Sequence, residues 1–385
     1  MNILHVIQTL DPAAGGPPVV AARLAAAQAK LGHCVAILAA EVAAAGKLGD
    51  LPGVRIIRAP AVSRLQAVLG RRVIDNLRAI IRDYDVFHLH GVWDPLLYAA
   101  ARGAYATPLA KPYVIAPHGM LDPWSLAQSR WKKKVALAAG WRTMLERAAA
   151  FHWLNADEQK LAAGIGIAVP GVVIPNGVNL EEFDPPPDPE LFRRRLPVLG
   201  DRPYILFLSR LHYKKGLDYL ADAFRMVVGN DADLHLVVAG PDDGARGDFE
   251  QRVAAAGLTD RVHLPGPIYG TEKLSAVAGA ACFVLPSRQE GFSVAILEAL
   301  ACGTPAVVST ECHFPEVAEF GAGEVVPLNA AAVAAALDRV LGDPALRERM
   351  GRAGRELVAA RFTWQRIAER SAETYAHMVS APRTK

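Results

Sequence analysis

Hydrophobic positions along this chain fall into short runs without polar alternation, separated by longer segments at helical spacing. Residues 2–8 read as an apolar strand and 18–31 as an Ala-rich helix closed by Gly32; four further strands follow at 34–39, 54–58, 86–90 and 113–116. Short β-rich runs with no polar face predict strands covered on both sides, and so a parallel sheet. The segment Asp184-Pro-Pro-Pro-Asp-Pro189 interrupts the pattern, because proline continues neither a helix nor a sheet interior. The pattern then restarts, with strands at 204–208, 234–239, 262–264, 282–285 and 306–308 and with helices that include 216–228 and 294–301. This predicts an α/β chain of two doubly wound units joined near residue 180, with domains over 1–180 and 181–362. A last amphipathic stretch, 363–379, has no docking site that its own pattern specifies. Ligands of such folds sit at the C-terminal ends of strands, and two such edges could face each other across a cleft.

Composition changes this picture little but excludes several classes. At 52% hydrophobic residues over 385, the chain has material for sizeable cores and is not intrinsically disordered. No apolar run reaches the roughly 18–20 residues of a membrane span, and residues 1–10 lack the basic start and cleavage site of a signal peptide. Cys34, Cys282, Cys302 and Cys312 have no zinc or redox spacing and are expected as buried thiols of a soluble cytoplasmic protein. Charge is divided: residues 1–180 carry 19 Lys and Arg against 11 Asp and Glu, the remainder 23 against 28. That asymmetry fits either an anionic partner for the first half or simply uneven surface charge. No RNA- or DNA-binding motif accompanies the basic residues, so no nucleic-acid partner is expected.

Absent motifs narrow the chemistry further. No G-x-G-x-x-G follows the first strand, and there is no Walker A sequence, H-E-x-x-H or G-x-S-x-G elbow. The most informative segment is Glu290-Gly-Phe-Ser-Val-Ala-Ile-Leu-Glu298, continued by Ala-Leu-Ala-Cys-Gly303-Thr-Pro305. Ser293 is placed to cap the helix that follows and Gly303 to close it. The N–H groups of Gly291, Phe292, Ser293 and Val294 would then point out of a helix N-terminus, which suits phosphate. Two glutamates eight residues apart lie roughly 12 Å apart on a helix, too far for a glycosidase pair at about 5–9.5 Å. The spacing suits two hydroxyl-bearing groups on either side of a diphosphate; equally, Glu290 could complement the helix dipole and Glu298 be solvated. Ser209-Arg210 and Lys214-Lys215-Gly216 follow the strand 204–208 and could neutralise a diphosphate leaving group. In the first half, Gly15-Gly16 after the first strand allows close approach of a ligand to backbone. His118-Gly119 after the strand 113–116 is a second candidate. Of His88 and His90, one is expected to face the core and the other the ligand edge.

Taken together, these residues resemble the retaining nucleotide-sugar glycosyltransferases of the GT-B fold, in the large family 4 (glycosyltransferase group 1). The E-x7-E segment is the most specific match. Arg210 with Lys215-Gly216, Pro175-Asn176-Gly177-Val178, Gly15-Gly16, His118-Gly119 and Pro315-Glu316-Val317 support it in the expected order. The resemblance implies two Rossmann-like domains about a cleft and a C-terminal segment, 363–385, that returns to the first domain. It implies that Arg210 and Lys215 hold the donor diphosphate without metal or other cofactor, and that Glu290 binds donor-sugar hydroxyls. Backbone contacts would come from Gly291, Phe292, Ser293 and Val294. Glu298 would bind the ribose, and Gly266 and Ile268 would lie near the base. Gly15, Gly16 and His118 would lie over the diphosphate and transferred sugar, His118 nearest the reacting centre. Catalysis is thus expected to rest on His118, Glu290, Arg210 and Lys215. One departure is the segment Ser309-Thr-Glu311-Cys312-His313-Phe314-Pro315, which has His313 where some polysaccharide-assembly enzymes have Asn.

The expected activity is hexosyl transfer from a UDP-, GDP- or ADP-sugar to a saccharide or lipid-linked saccharide, as in bacterial lipopolysaccharide or exopolysaccharide assembly. Another GT-B activity, a 2-epimerase or phosphorylase, or a non-catalytic sugar-nucleotide-binding module, is the alternative. The segment 124–149 adds Trp131-Lys132-Lys133-Lys134, Trp141-Arg142 and Arg147, with Trp131, Val135, Ala138 and Arg142 on one helical face. A second basic amphipathic segment spans residues 64–82. Such segments suit a peripheral helix on anionic lipid, as a polyprenyl-diphosphate-linked acceptor would require, or tryptophans in the core with snorkelling cations.

Overall fold

The computed structural model describes residues 1–43, 51–105, 110–229 and 233–380; the last five residues of the segment 363–385 lie outside it. The chain divides into two compact units, Met1–Asn176 with Trp364–Lys385, and Gly177–Thr363.

In the first unit the described strands are β1 (Asn2–Thr9), β2 (Cys34–Glu41), β3 (Val54–Arg58), β4 (Val86–His90), β5 (Tyr113–Ala116), β6 (Ala150–Trp153) and β7 (Gly171–Val173). They form a parallel sheet in the order β3-β2-β1-β4-β5-β6-β7. Strand order reverses between β1 and β4, where a doubly wound sheet opens a crevice at its C-terminal edge. β4 and β5 are buried along their whole length, the two-sided cover that their unbroken apolar runs predict. β6 and β7 were not read from the sequence, because β7 has only three residues and β6 carries His152 among its apolar positions. The first helix runs from Gly16 to Lys30, two residues earlier than expected. Pro17 and Pro18 fill its first turn, where a missing N–H costs nothing. The helix Trp364–Ser380 packs on it: Trp364, Ile367 and Ala368 share a core with Val20, Leu24 and Ala27.

The second unit repeats the plan with β8 (Tyr204–Leu208), β9 (His235–Ala239), β10 (Val262–Gly266), β11 (Cys282–Leu285), β12 (Ala306–Ser309) and β13 (Gly323–Val326). The parallel order is β10-β9-β8-β11-β12-β13, so its reversal lies between β8 and β11. β8, β9, β11 and β12 are buried throughout. All four cysteines are free; Cys282 and Cys312 are buried as expected, but Cys34 is exposed at the first position of β2. No helix among the described residues is long and apolar enough to cross a membrane.

Candidate functional site

Each sheet carries candidate residues at its reversal, and the two edges differ. In the second unit, β8 leads through Ser209 and Arg210 into a short turn, Tyr213–Lys215, and β11 leads through Pro286 into the loop that bears Glu290. Gly216 brings the loops together. Its φ is +69°, and a Cβ there would lie 1.8 Å from the Pro286 carbonyl oxygen, so only glycine fits. Arg288 adds a clamp: its two terminal nitrogens bond Asp218 at 2.8 and 2.6 Å, and its guanidinium lies over Tyr213 and Tyr219. Burial pushes the Asp218 carboxyl up, but the bonds and charge of Arg288 outweigh it and hold the group below its ordinary value.

This framework places Lys215 Nζ 2.6 Å from Glu290 Oε1, with the two side chains 14% and 8% exposed. Ser287 Oγ donates to the same oxygen at 2.6 Å. Both bonds fall on Oε1, so Oε2 is left without a bond among the described residues. Glu298, one helix turn after the start of Val294–Cys302, is arranged alike: Lys273 Nζ from the helix Gly270–Ala278 holds its Oε1 at 2.5 Å. Both carboxylates are among the sequence candidates; the cation opposite Glu298 and the hydroxyl beside Glu290 are not. Ser287 carried a signal, one residue past Pro286 at a strand end; Lys273 carried none. Arg210 lies on the same edge but turns away, pairing with Asp243 at 2.5 Å in an exposed ion pair. Gly291, Phe292, Ser293 and Val294 lead into the helix as expected, and Gly303 closes it at φ +79°. Ser293 occupies the N-cap position, but its side chain makes no capping bond, contrary to expectation. A Cβ on Gly291 would meet nothing within 4 Å. Gly266 ends β10 at φ +81°, and Ile268 just beyond it is buried. The departing segment 309–315 braces the site: Glu290 N donates to Glu311 O, and Ser309 Oγ to Ser287 O.

The candidates at the first unit's edge are backbone and imidazole groups rather than lysine–carboxylate pairs. Gly15, at φ +112°, breaks the turn Pro12–Ala14 from the helix, and around Gly16 no chain atom lies within 4 Å of a Cβ position. His118 (φ +52°) and Gly119 follow β5 in left-handed conformations. The buried Glu158 holds this turn, accepting from Gly119 N and Leu154 N at 2.6 Å each. Behind His118 lies a feature the sequence only hinted at. His5, His88, His90 and His152 are all buried, and their rings run in contact from β1 through β4 to β6. His88 and His90 were expected to face opposite ways. Two residues apart on one strand they share a face, and both lie in this cluster. Burial lowers every ring: His5 and His152 to about 4, His118 to about 3, and His88 and His90 well below the ordinary value, with the neighbouring rings acting in the same sense.

Two family descriptions match the chain, glycosyltransferase family 4 over residues 14–182 and glycosyl transferases group 1 over residues 188–357. A phosphatidyl-myo-inositol mannosyltransferase of Mycobacterium leprae is 31% identical over 298 residues, covering 76% of this chain and 73% of that one. The chain belongs to the group 1, family 4 glycosyltransferases. An uncharacterized glycosyltransferase of Methanocaldococcus jannaschii is 34% identical over 208 residues, 53% of either chain. The chain spans about half the length of this and other curated relatives it matches. Among solved structures, that of Anabaena HepE in complex with UDP has a TM-score of 0.79 at 20% identity, covering 98% of this chain and 100% of that one. At that identity it establishes the shared glycosyltransferase fold.

Proposed function

We propose that this family member is a retaining, metal-independent hexosyltransferase that moves a sugar from a nucleoside diphosphate sugar to a saccharide or polyprenyl-diphosphate-linked saccharide in bacterial cell-surface polysaccharide synthesis. The observation that carries this reading is the paired lysine–carboxylate arrangement at the reversal of the second sheet. Each glutamate has one oxygen fixed by a lysine and the other available to accept from a hydroxyl. In this reading Glu290 Oε2 takes hydroxyls of the sugar and Glu298 Oε2 those of the ribose. Lys215, with Arg210 released from its exposed partner, turns to the diphosphate between them. The bond from the anomeric carbon to the diphosphate oxygen breaks, and the acceptor oxygen bonds to that carbon from the same face. The acceptor's proton passes to the departing phosphate. Charge develops on that leaving group, so the two cations stabilise the transition state more than any carboxylate base does. The reading is supported by relatives named as GDP-mannose-dependent mannosyltransferases and by the HepE structure with UDP-glucose.

A lipid-linked acceptor is supported by the first unit's surface. Trp131 is 68% exposed, and Val135 on the same helix, Arg130–Ala136, is exposed with it. Ala138 and Arg142 are exposed too, but the π-turn Leu137–Trp141, with Gly140 at φ +117°, breaks the single helical face expected over 131–142. Trp141, by contrast, is buried against Tyr98 with ring centroids 4.0 Å apart. Lys133 bonds Ser125 O and lies over Trp93, so Lys132 and Lys134 are the cations placed for anionic headgroups. Co-sedimentation with phosphatidylglycerol vesicles should be lost in Lys132→Glu/Lys134→Glu; undiminished binding rejects the membrane part.

The activity itself is tested by incubating the protein with UDP-, GDP- and ADP-sugars, with and without EDTA, and a panel of polyprenyl-diphosphate saccharides. Nucleotide release that survives EDTA, with the donor's anomeric configuration kept in the product, is expected. Inversion, a requirement for divalent metal, or release of a free 2-epimer contradicts the reading.

A further inference from the structure

The buried histidines resolve into a hydrogen-bond chain whose direction is set at its far end. Ser371 Oγ, on the helix Trp364–Ser380, donates to Ala368 O at 2.8 Å and so accepts from Gln28 Nε2 at 2.8 Å. The second proton of that amide faces Tyr375 OH at 3.5 Å, whose own proton goes to His88 Nδ1 at 2.6 Å. Gln28 is thereby oriented with Oε1 toward His5 Nε2, 2.7 Å away. A carbonyl oxygen only accepts, so His5 carries its proton on Nε2 and offers a lone pair at Nδ1. His90 Nε2 lies 2.9 Å from that lone pair and must donate, which leaves His90 Nδ1 as acceptor. His118 Nε2, 3.2 Å from His90 Nδ1, must donate in turn. Burial keeps all these rings neutral, one donor and one acceptor each. A second branch is anchored the same way: His152 Nε2 donates to Ile174 O at 2.6 Å, and its Nδ1 accepts from His88 Nε2 at 3.2 Å.

We propose that Gln28 and Ser371 are positioning residues that act through His5 and His90 to fix the tautomer of His118, so that its Nδ1 is a hydrogen-bond acceptor for a sugar hydroxyl rather than a donor to phosphate. No described residue bonds His118 Nδ1, so this nitrogen is left to face a ligand. The relay also accounts for the three ring nitrogens of His5, His88 and His90 that lie within 4.8 Å of one another. Both nitrogens of each ring are already used within the protein, so the cluster is a wire of neutral rings and not a metal centre. The tautomer assignment stands on the first unit alone; its effect on turnover rests on the proposed sugar transfer.

Long-range 1H–15N correlation of the full chain labelled at histidine reads each tautomer directly. In the wild type, His118, His90 and His5 should all be protonated at Nε2. Ser371→Ala and Gln28→Leu loosen and remove the anchor, and a reversed set of signals with His118 protonated at Nδ1 should appear, stronger in Gln28→Leu. Turnover should fall with it by about 10- to 100-fold at little change in donor KM, the scale of lost ligand-orienting contacts. His118 protonated at Nδ1 in the wild type overturns the proposal. So do variants that fold and leave the tautomers unchanged, or a transition metal retained stoichiometrically on the rings. If the signals reverse but turnover is untouched, the relay stands and the placing of His118 beside the donor sugar fails.

Discussion

The two sheets share one plan, and each reverses its strand order at one point, yet they equip that point in opposite ways. The second unit sets two lysine–glutamate pairs there, partly wet and each with a spare carboxylate oxygen. The first sets a file of neutral imidazoles behind a single loop histidine. Ion pairs of the first kind can exchange partners, and in the proposed transfer a diphosphate would compete with Glu290 and Asp243 for Lys215 and Arg210. A dry chain of neutral rings does not exchange; it transmits which nitrogen carries a proton. One edge is thus built to meet charge and the other to orient a hydrogen bond.

The largest expected effect breaks the charged edge. Lys215→Ala should cost about 10²–10³-fold in kcat, as removal of one transition-state donor does, and Gly216→Ala should cost at least as much by forcing the turn off Pro286 O. Nucleotide-release rates check both; a loss under threefold in either would mean the edge does not stabilise the leaving group.

Next in size is the acid response of the neutral edge. The folded rings stay unprotonated down to about 4 for His5 and His152 and about 3 for His118, whereas the unfolded chain takes up protons near 6.5. The unfolded state therefore binds more protons in this window, so stability is full above about pH 6.5 and is lost as pH falls toward 4. Each ring contributes a slope of up to about 1.4 kcal/mol per pH unit. Urea unfolding at pH 7 and pH 5 measures it, and equal stability at the two would contradict the buried, neutral assignment.

A smaller effect sharpens the division of labour within the charged edge. Glu298→Gln should raise donor KM about 10-fold with kcat nearly unchanged, as loss of contacts made equally in ground and transition states does. The smallest concerns Arg210. Its pair with Asp243 is exposed, and such pairs contribute roughly 0–1 kcal/mol. Arg210→Ala should leave Tm almost unmoved while slowing turnover, and a large fall in Tm would reassign Arg210 to the fold.

The same contrast explains what was legible in the sequence. Residues on loops at strand ends were open to sequence reading: Glu290, Lys215 and His118 stand beside glycines where an apolar strand stops. Of the groups inside helices, Glu298 could be picked out only through its spacing from Glu290, and the others were not. Lys273 reaches Glu298 from a separate helix with no local cue. Gln28 does carry a cue, since it continues the buried Ala21, Leu24, Ala25 face at helical spacing, and Ser371 and Tyr375 continue Ile367 and Ala368 likewise. A polar residue on an apolar stripe marks a buried hydrogen bond, but the stripe does not name its partner. The Ser293 cap failed for a related reason: the position was right, while the side-chain bond depends on a rotamer the sequence does not encode.

Under the proposed function, the lysine–carboxylate edge of the second unit binds a nucleoside diphosphate through its own cations. The direct measurement is thermal unfolding of wild type and Lys215→Ala with UDP, GDP and ADP, each with and without EDTA. At 100 times its dissociation constant a true ligand adds about 2.7 kcal/mol. One nucleotide should stabilise the wild type equally with EDTA and give little or no shift in Lys215→Ala. A shift abolished by EDTA, or one that survives the loss of Lys215 intact, would mean that a metal or another group, and not this edge's cations, holds the diphosphate.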